Sequence, residues 1–250
     1  MVEKDVTDLT VEKNAVTFEK VDYSVEGIHI LQQITGEVAA GNITTVVGPS
    51  GAGKTTLFKL CNGLQSPNSG SIYIQNHHID SYDPIDLRRK VGIALQNATM
   101  INGTIWTNLE LPLKLQSKEL SEDRASELLN LVGLEEAAFQ KKTKDLSGGQ
   151  QQKLSIARTL VNQPDILLLD EITSSLDSVS RQDIEELIAN INQEYGTTIL
   201  WITHNLQQAL DIGDDTWVMM DGEVVETGPS HFLKNPKNDR VKQFVRGEIE

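Results

Sequence analysis

GPSGAGKTT, at residues 48–56, is the stretch that decides how this chain folds. It fits the phosphate-loop pattern G-x-x-x-x-G-K-[ST], in which backbone N–H groups surround phosphate oxygens and a lysine neutralises them. The β-branched run at 42–47 before it predicts a buried strand, and the run at 56–61 after it predicts a helix. Because the motif needs this strand and this helix around it, we prefer a phosphate loop to the alternative of a simple glycine-rich turn.

The loop predicts a nucleoside triphosphate with Mg²⁺ as the ligand. Glycine lets the backbone wrap an anion without Cβ clashes, and the N-terminus of the following helix adds a partial positive charge. We expect Lys54 to contact the β- and γ-phosphates and the Thr55 hydroxyl to bind Mg²⁺. The predicted phosphate-binding residues are Gly48, Pro49, Ser50, Gly51, Ala52, Gly53, Lys54, Thr55 and Thr56.

The composition excludes several classes of function. The 36 acidic residues outnumber the 22 basic ones, and the net charge of −14 argues against nucleic acid as a partner, because phosphate backbones are bound by clustered Lys and Arg. A single cysteine, Cys61, excludes an internal disulfide and fits a reducing compartment. The charged start at 1–5 does not resemble a secretory signal, and no apolar stretch is long enough to span a membrane. Any membrane span is expected on another chain.

The hydrophobic patterns predict one domain, 1–250, of the α/β class. Its fold is a P-loop NTPase core with a mixed sheet, an antiparallel β lobe and an inserted α-helical subdomain. The core and the β lobe are predicted at about 15–97 and 146–234, and the helical subdomain at about 98–145, where β-branched runs are few. A terminal helix and tail are expected at 235–250.

Turn signals predict some local boundaries. Asp221-Gly222, between two apolar runs, predicts a hairpin. The run at 90–96 predicts a buried strand. His77 and His78 are placed in a solvated turn, because no further metal ligands accompany them.

A second helix N-terminus also suits an anion. LSGGQ, at 146–150, opens a predicted helix that runs to Gln163, with Ser147 as its N-cap. The two glycines that follow leave bare backbone N–H groups. Another helix is predicted at 181–195. The chain therefore offers two helix ends with unpaired N–H donors.

Catalytic side chains are expected where buried strands end. The apolar run at 166–169 delivers Asp170 and Glu171 at its carboxyl end. We expect Asp170 to hold Mg²⁺ and Glu171 to polarise the attacking water, because phosphoryl transfer needs positioning and charge neutralisation. Gln96, after another strand, can orient water and bind Mg²⁺, and His204 can reach the γ-phosphate. Each residue alone is uninformative; sharing one sheet edge with a phosphate loop indicates function.

In order and spacing, six segments resemble the ATP-binding cassette (ABC) ATPase subunit. They are the phosphate loop, Gln96, LSGGQ at 146–150, ILLLDE at 166–171, SSLD at 174–177 and His204. In that family two cassettes pair head to tail, so the resemblance implies an ATP-bound homodimer in which each ATP lies between the phosphate loop of one chain and LSGGQ of the other. The residues that it places at the partner's nucleotide or at the dimer seam are Ser147, Gly148, Gly149, Gln150 and Asp177.

The chain departs from the family pattern where adenine binds. Val25 stands where the family usually stacks an aromatic ring on the base. Tyr23, two residues earlier, would share the face of Val25 in a regular strand and could substitute for it. We therefore expect weaker adenine packing. Ile172 in place of the common proline, and Lys153 in place of arginine, remove no catalytic group.

The resemblance implies an enzyme that hydrolyses ATP to ADP and phosphate and drives solute transport through a separate transmembrane permease subunit. Its location would be cytoplasmic, peripheral on the inner face of the cell membrane. Met100, Ile101 and Trp106 are expected either to receive the coupling helices of that subunit or to belong to the core. No residue identifies the solute, but DEITSSLD and ILWITHN are similar to bacterial iron- or metal-export cassettes, with phosphate import as the alternative.

Two other classes of function are weaker. ABC proteins of DNA repair, chromosome organisation or translation usually carry a long coiled coil, a zinc insertion or a second cassette, and the sequence shows none of these. A plain P-loop kinase or GTPase would leave LSGGQ unexplained.

Overall fold

The computed structural model describes residues 13–135 and 138–249, which form two sheets with helices packed against them. The expectation for the start, 1–5, lies outside the described residues. The strands are β1 (Asn14–Val25), β2 (Ile28–Ala39), β3 (Ile43–Val47), β4 (Ser69–Ile74), β5 (His77–His78), β6 (Val91–Ala94), β7 (Ile166–Asp170), β8 (Thr198–Ile202), β9 (Asp215–Met220) and β10 (Glu223–Pro229). The α-helices are α1 (Lys54–Cys61), α2 (Pro84–Lys90), α3 (Ile105–Lys114), α4 (Glu122–Leu131), α5 (Gly148–Leu160), α6 (Ser178–Tyr195), α7 (Leu206–Ile212) and α8 (Asp239–Val245).

The core sheet has six strands in the order β10-β9-β3-β8-β7-β6. The β9–β10 pair is antiparallel and the other pairs are parallel, so the sheet is mixed, as predicted. Every residue of β3, β7 and β8 is buried, which explains their continuous apolar runs. The carboxyl ends of these three strands lie at one edge of the sheet, and the phosphate loop, Glu171 and His204 follow them there.

The second sheet is an antiparallel β lobe in the order β2-β1-β4-β5. It packs on the core through one apolar cluster that includes Phe18, Phe58 and Trp217, and the rings of Phe18 and Trp217 meet edge to face with centroids 5.7 Å apart. A Cβ on Gly36 would lie 2.8 Å from the Trp217 ring, so glycine is needed for this close approach. The lobe and the core are therefore joined by a continuous hydrophobic interior.

The helices α3 and α4 lie between β6 and α5 in the chain, as predicted from the scarcity of β-branched runs there. Thr104 and Ser121 cap them by accepting hydrogen bonds from backbone N–H groups. Their apolar faces join a second cluster with α5, α6 and Trp201 of β8. Among the described residues, no helix is both long enough and apolar enough to cross a membrane.

Some predicted boundaries were wrong. Lys90 ends α2 instead of opening a strand, and α5 stops at Leu160 rather than Gln163, which takes the left-handed conformation at φ 51°. The helix predicted at 181–195 begins three residues earlier, because Asp177 caps it. Cap chemistry decided this start, whereas the prediction followed only the apolar stripe.

His77 and His78 do not form the turn in which the sequence placed them. They pair with β4 as a short strand, because Gln75 and Asn76 take positive φ values of 47° and 62° and make the turn themselves. The His78 ring lies edge to face against Tyr73, with centroids 5.4 Å apart. This pair belongs to the edge of the β lobe.

Candidate functional site

Two glycines of the phosphate loop are required by close backbone approaches. A Cβ on Gly48, at φ 143°, would lie 1.9 Å from the Met219 carbonyl oxygen. A Cβ on Gly53, at φ 92°, would lie 2.9 Å from the Ile30 carbonyl oxygen and 2.6 Å from Leu31 Cδ2. These values are far below normal contact distances, so only glycine fits at either position. The loop is thereby held between β9 and the β lobe.

Lys54 is folded into this loop and is 5% exposed. Its Nζ donates to the Gly48 carbonyl at 2.7 Å and to the Pro49 carbonyl at 2.8 Å. Burial lowers the pKa of the Lys54 ammonium, while the negative charges of Glu171 and Asp170 oppose that fall. The amine is therefore placed among the loop carbonyls and opposite two carboxylates.

Thr55 and Asp170 bring two oxygen atoms together beneath the loop. Thr55 Oγ1 donates to Asp170 Oδ1 at 3.2 Å. Burial raises the pKa of Asp170, and the hydrogen bond from Thr55 opposes that rise. Within 13–135 and 138–249, no group of three or more His, Cys, Asp or Glu residues could hold a metal ion. A Mg²⁺ site still fits, because Mg²⁺ takes oxygen ligands and is usually held by one or two carboxylates together with substrate phosphates.

Glu171 and His204 are in direct contact. Glu171 Oε1 lies 2.5 Å from His204 Nε2. Glu171 has a left-handed backbone at φ 52°, and its N–H donates to the Ile202 carbonyl of β8 at 3.1 Å. A non-glycine residue pays roughly 1 kcal/mol for this conformation, which here turns the side chain toward the loop after β8. The sequence predicted both residues, and the structure adds their contact.

Gln96 lies beside the same turn. Its Nε2 donates to Ser174 Oγ at 3.0 Å, and Ser174 Oγ donates to the Glu171 carbonyl at 2.9 Å. Gln96 is thus linked to the backbone of Glu171 through one hydroxyl. The sequence indicated Ser174 only as part of the SSLD segment, and that pattern does not predict its hydrogen bonds.

The helix α5 fixes the loop that carries Gln96 at two points. Gln152 Nε2 donates to the Leu95 carbonyl at 3.2 Å, and Arg158 Nη2 donates to the Thr99 carbonyl at 2.9 Å. Burial lowers the pKa of Arg158. Sequence reasoning missed both residues, because they look like ordinary polar positions on a helix. They connect the helix that begins with LSGGQ to the Gln96 loop.

LSGGQ forms a closed helix cap. Ser147 Oγ accepts from the Gln150 N–H at 3.2 Å, and Gln150 Oε1 accepts from the Ser147 N–H at 3.1 Å. A Cβ on Gly149 would lie 3.1 Å from Ser180 Oγ, whereas a Cβ on Gly148 would meet no atom within 4 Å. Among the described residues, no hydrogen bond joins this segment to the phosphate loop. The two anion-suited helix ends are separate in one chain.

Asp177 has a structural contact within the chain. It caps α6 by accepting from the N–H groups of Val179 and Ser180, each at 3.0 Å, and from Ser180 Oγ at 2.7 Å. The hydrogen bond from the Ser180 backbone lowers the pKa of Asp177. The carboxylate is therefore held at the start of α6, on the exposed surface.

Val25 and Tyr23 do not share an environment. Val25 is 45% exposed at the end of β1 and pairs with Ile28, which is 66% exposed. Tyr23 pairs with Leu31, and its ring packs against the core cluster. A register shift between Tyr23 and the next residue breaks the alternation on which the shared-face prediction rested. The exposed apolar pair is therefore Val25 and Ile28, and the sequence analysis did not single out Ile28.

The fold and this site define a P-loop nucleotide-binding protein. A family model described as ABC transporter matches residues 31–174. The chain therefore belongs to the ABC transporter family and is an ATP-binding cassette that hydrolyses ATP.

Relatives and solved structures agree with this assignment. YjkB of Bacillus subtilis (strain 168), named as an ABC transporter ATP-binding protein, is 40% identical over 248 residues, which cover 97% of this chain and 98% of YjkB. CbiO1 from Clostridium perfringens, part of the ABC transporter complex CbiONQ, matches with a TM-score of 0.82 at 29% identity, over 94% of this chain and 96% of CbiO1. The cassette MJ0796, a dimer bound to ADP and Pi, matches with a TM-score of 0.76 at 32% identity, over 86% of this chain and 98% of MJ0796.

Several other curated relatives are longer proteins. This chain spans 63% of STAR1 from rice (Oryza sativa subsp. japonica) and 64% of MetN 1 from Acinetobacter baylyi, at 37% and 40% identity over 88% and 89% of this chain. What those whole proteins do is therefore only a guide to this chain.

Proposed function

We propose that two copies of this chain close head to tail around two ATP molecules and thereby drive a separate membrane-spanning subunit. The observation that carries the proposal is the pair of helix ends, the phosphate loop and LSGGQ, between which the described residues form no hydrogen bond. A second copy of the chain supplies the missing half of each site. The dimeric state of MJ0796 with ADP and Pi supports this arrangement.

Hydrolysis is proposed to depend on the contact between Glu171 and His204. The carboxylate of Glu171 accepts a proton from the attacking water. His204 Nε2, 2.5 Å from Glu171 Oε1, orients that carboxylate, and its single N–H would pass from Oε1 to a γ-phosphate oxygen when ATP is bound. Lys54 exchanges its loop carbonyls for the β- and γ-phosphate oxygens. Mg²⁺, held by Thr55 and Asp170 with Gln96 nearby, would neutralise the phosphate charge. Gln96 passes the state of the Glu171 turn to α5.

The membrane subunit is proposed to bind a groove between α2, α3 and α5. The groove has a volume of about 570 Å³, and the exposed apolar side chains Ile85 and Leu115 stand on its lining. Arg88 and Arg158 add positive charge in a chain whose net charge is −14, whereas Arg89 is paired with Asp86 at 2.9 Å, so a partner helix with apolar and acidic side chains suits the groove.

Met100, Ile101 and Trp106, the contact residues suggested by the sequence, are only partly exposed. Met100 and Trp106 pack against the helical cluster, and the Trp106 ring meets Phe139 with centroids 5.4 Å apart. This packing favours the core role for Met100 and Trp106. The groove beside them carries the more exposed apolar side chains.

Affinity purification from mildly solubilised native membranes tests this proposal. The tagged wild type and a Leu64→Asp control, whose leucine is 53% exposed outside the groove, should recover a stoichiometric multi-spanning protein. The double variant Ile85→Asp with Leu115→Asp should lose it. Recovery of proteins without membrane spans, or equal recovery by the groove variant, would contradict the proposal and favour a soluble ABC protein of DNA repair or translation.

The proposed solute is iron or another metal ion moved outwards, with phosphate import as the alternative. Both proposed solutes rest on the similarity of the segments DEITSSLD and ILWITHN to those of other cassettes. Relatives at 40% and 38% identity are named for methionine import and for spermidine/putrescine import, so the family assignment leaves the solute open. Replacing the wild type by Glu171→Gln in cells should raise cellular metal content. Unchanged metal with reduced phosphate uptake would support the alternative.

A further inference from the structure

Gln208 is a buried polar side chain that the mechanism above does not use. It lies in α7, four residues after His204, and is 2% exposed. Its Nε2 donates to Thr173 Oγ1 at 3.1 Å and to Glu185 Oε1 at 2.6 Å. Both hydrogens of the amide are therefore engaged, and a buried amide with satisfied donors fixes the groups around it.

One partner of Gln208 belongs to the turn that begins with Glu171, and the other belongs to the helix that Asp177 caps. Thr173, itself 5% exposed, sits inside the turn that the Ser174 N–H closes by donating to the Glu171 carbonyl at 3.1 Å. Glu185 lies in α6, the helix that Asp177 caps. Gln208 thus links the turn that begins with Glu171 to the helix that begins at Asp177.

The connection from Gln208 back to His204 is short and well bonded. Asn205, directly after His204, caps α7 by accepting from the Gln207 and Gln208 N–H groups, and its own N–H donates to Thr203 Oγ1 at 3.0 Å. A shift of Gln208 therefore moves the backbone next to His204. The side chain of Gln208 and the cap of α7 together join the Glu171 turn to the His204 segment.

We propose that Gln208 is a positioning residue that sets the distance between Glu171 and His204. The inference rests on the roles proposed above for these two residues. The left-handed backbone of Glu171 must be held by its surroundings, and the Thr173 bond is a side-chain anchor for that turn. Misplacing a catalytic group by about 1 Å can lower turnover about 100-fold, so a lost anchor should reduce kcat far more than ATP binding.

A donor–acceptor exchange between Gln208 and Glu185 tests this inference in the full-length protein. Gln208→Glu replaces an amide with two donated hydrogen bonds by an acidic group that can donate at most one, and it removes at least one of the bonds to Thr173 and Glu185. Glu185→Gln alone should be nearly neutral, because an amide oxygen can still accept from Gln208. The double variant restores a hydrogen bond with donor and acceptor exchanged, and the Thr173 hydroxyl can donate to the new carboxylate. Gln207→Glu is the matched control, because Gln207 is exposed and, within the described part of the chain, its side chain hydrogen-bonds to Asp211 alone.

We expect Gln208→Glu to lower kcat by about 10-fold or more with KM for ATP within about two-fold, and the double variant to return within about three-fold of wild type. Gln207→Glu should match wild type. Full kcat in Gln208→Glu, or a double variant as slow as Gln208→Glu, would overturn the inference. Glu171→Gln separates the two proposals: rapid turnover by that variant removes the proposed role of Glu171, whereas its stalling leaves the result for Gln208 to be judged alone.

Discussion

The two helix N-termini that suit an anion, those of α1 and α5, satisfy their backbone donors in different ways. No side chain caps α1, whose N-cap is the left-handed Gly53. At α5, Ser147 and Gln150 close a reciprocal capping box. The first end leaves its N–H groups to a ligand, and the second has satisfied two of its own.

This difference indicates that the two ends take different parts in binding ATP. The phosphate loop carries a buried lysine and lies beside Asp170 and Glu171, so it holds the chemistry of the site. The α5 end carries no charge of its own, and its glycine Gly148 faces open space. We therefore propose that the α1 end binds the nucleotide of its own chain and that the α5 end completes the site of a second copy.

Of the substitutions that test the comparison of the α1 and α5 ends, Lys54→Ala is expected to have the largest effect on ATP binding and hydrolysis. Because the variant loses a charged donor to phosphate oxygens, ATP binding should weaken about 100-fold and hydrolysis should disappear. Isothermal titration calorimetry measures the affinity. Lys114→Ala, which removes the same charge from an exposed position, is the control and should bind normally. If Lys54→Ala bound ATP within about two-fold of wild type, the phosphates would not contact Lys54.

Gly148→Ala separates folding from function at the other end. Its Cβ meets no atom of its own chain, and alanine favours helix by up to about 1 kcal/mol, so the melting temperature should stay or rise. ATPase activity should nevertheless fall about 10-fold, because the methyl group would enter the space of the partner's nucleotide. Gly149→Ala is the contrasting variant and should also lower the melting temperature, since its Cβ approaches Ser180. Full activity in Gly148→Ala would mean that the N-terminus of α5 does not contact ATP.

Val25→Tyr is the smallest predicted effect. An aromatic contact contributes about 0.5–1.5 kcal/mol, so a ring at this exposed position should tighten ATP binding by about 2- to 10-fold. Affinities for ATP and GTP, measured side by side in wild type and variant, show whether the gain depends on adenine. No gain for ATP would mean that the base packs elsewhere, for example on Ile28.

The sequence correctly predicted those segments that carry a strong local signal. The strand β8, Thr198–Ile202, has its predicted bounds because a short run rich in β-branched and aromatic residues is typical of a buried strand. Around Tyr23 the prediction failed, because a register shift in β1 depends on the partner strand and leaves no mark in the local pattern. The predicted start of α6 was wrong because Asp177 caps the helix three residues before its apolar stripe begins.

The sequence predicts the residue types of the candidate site and not the contacts between them. Gly48, Lys54 and Asp170 follow motif spacing, and parallel strands bring them to one sheet edge. Contacts between distant segments, such as Gln208 with Thr173 or Arg158 with Thr99, depend on helix packing and have no periodic signature. These contacts determine the distances between the candidate site groups, whereas the motifs identify only the residues.

The most direct test of the account is a cross-link between two chains. Ser50→Cys and Ser147→Cys are introduced into separate Glu171→Gln chains; both serines are exposed, and the native Cys61 is fully buried, with its thiol pKa raised to about 12 by burial. The two chains are mixed and treated with a short thiol cross-linker. We predict a product of twice the chain mass with ATP and none without nucleotide. Each cysteine variant is first shown to bind ATP. No product with ATP from such chains, or equal product without it, would contradict the head-to-tail site.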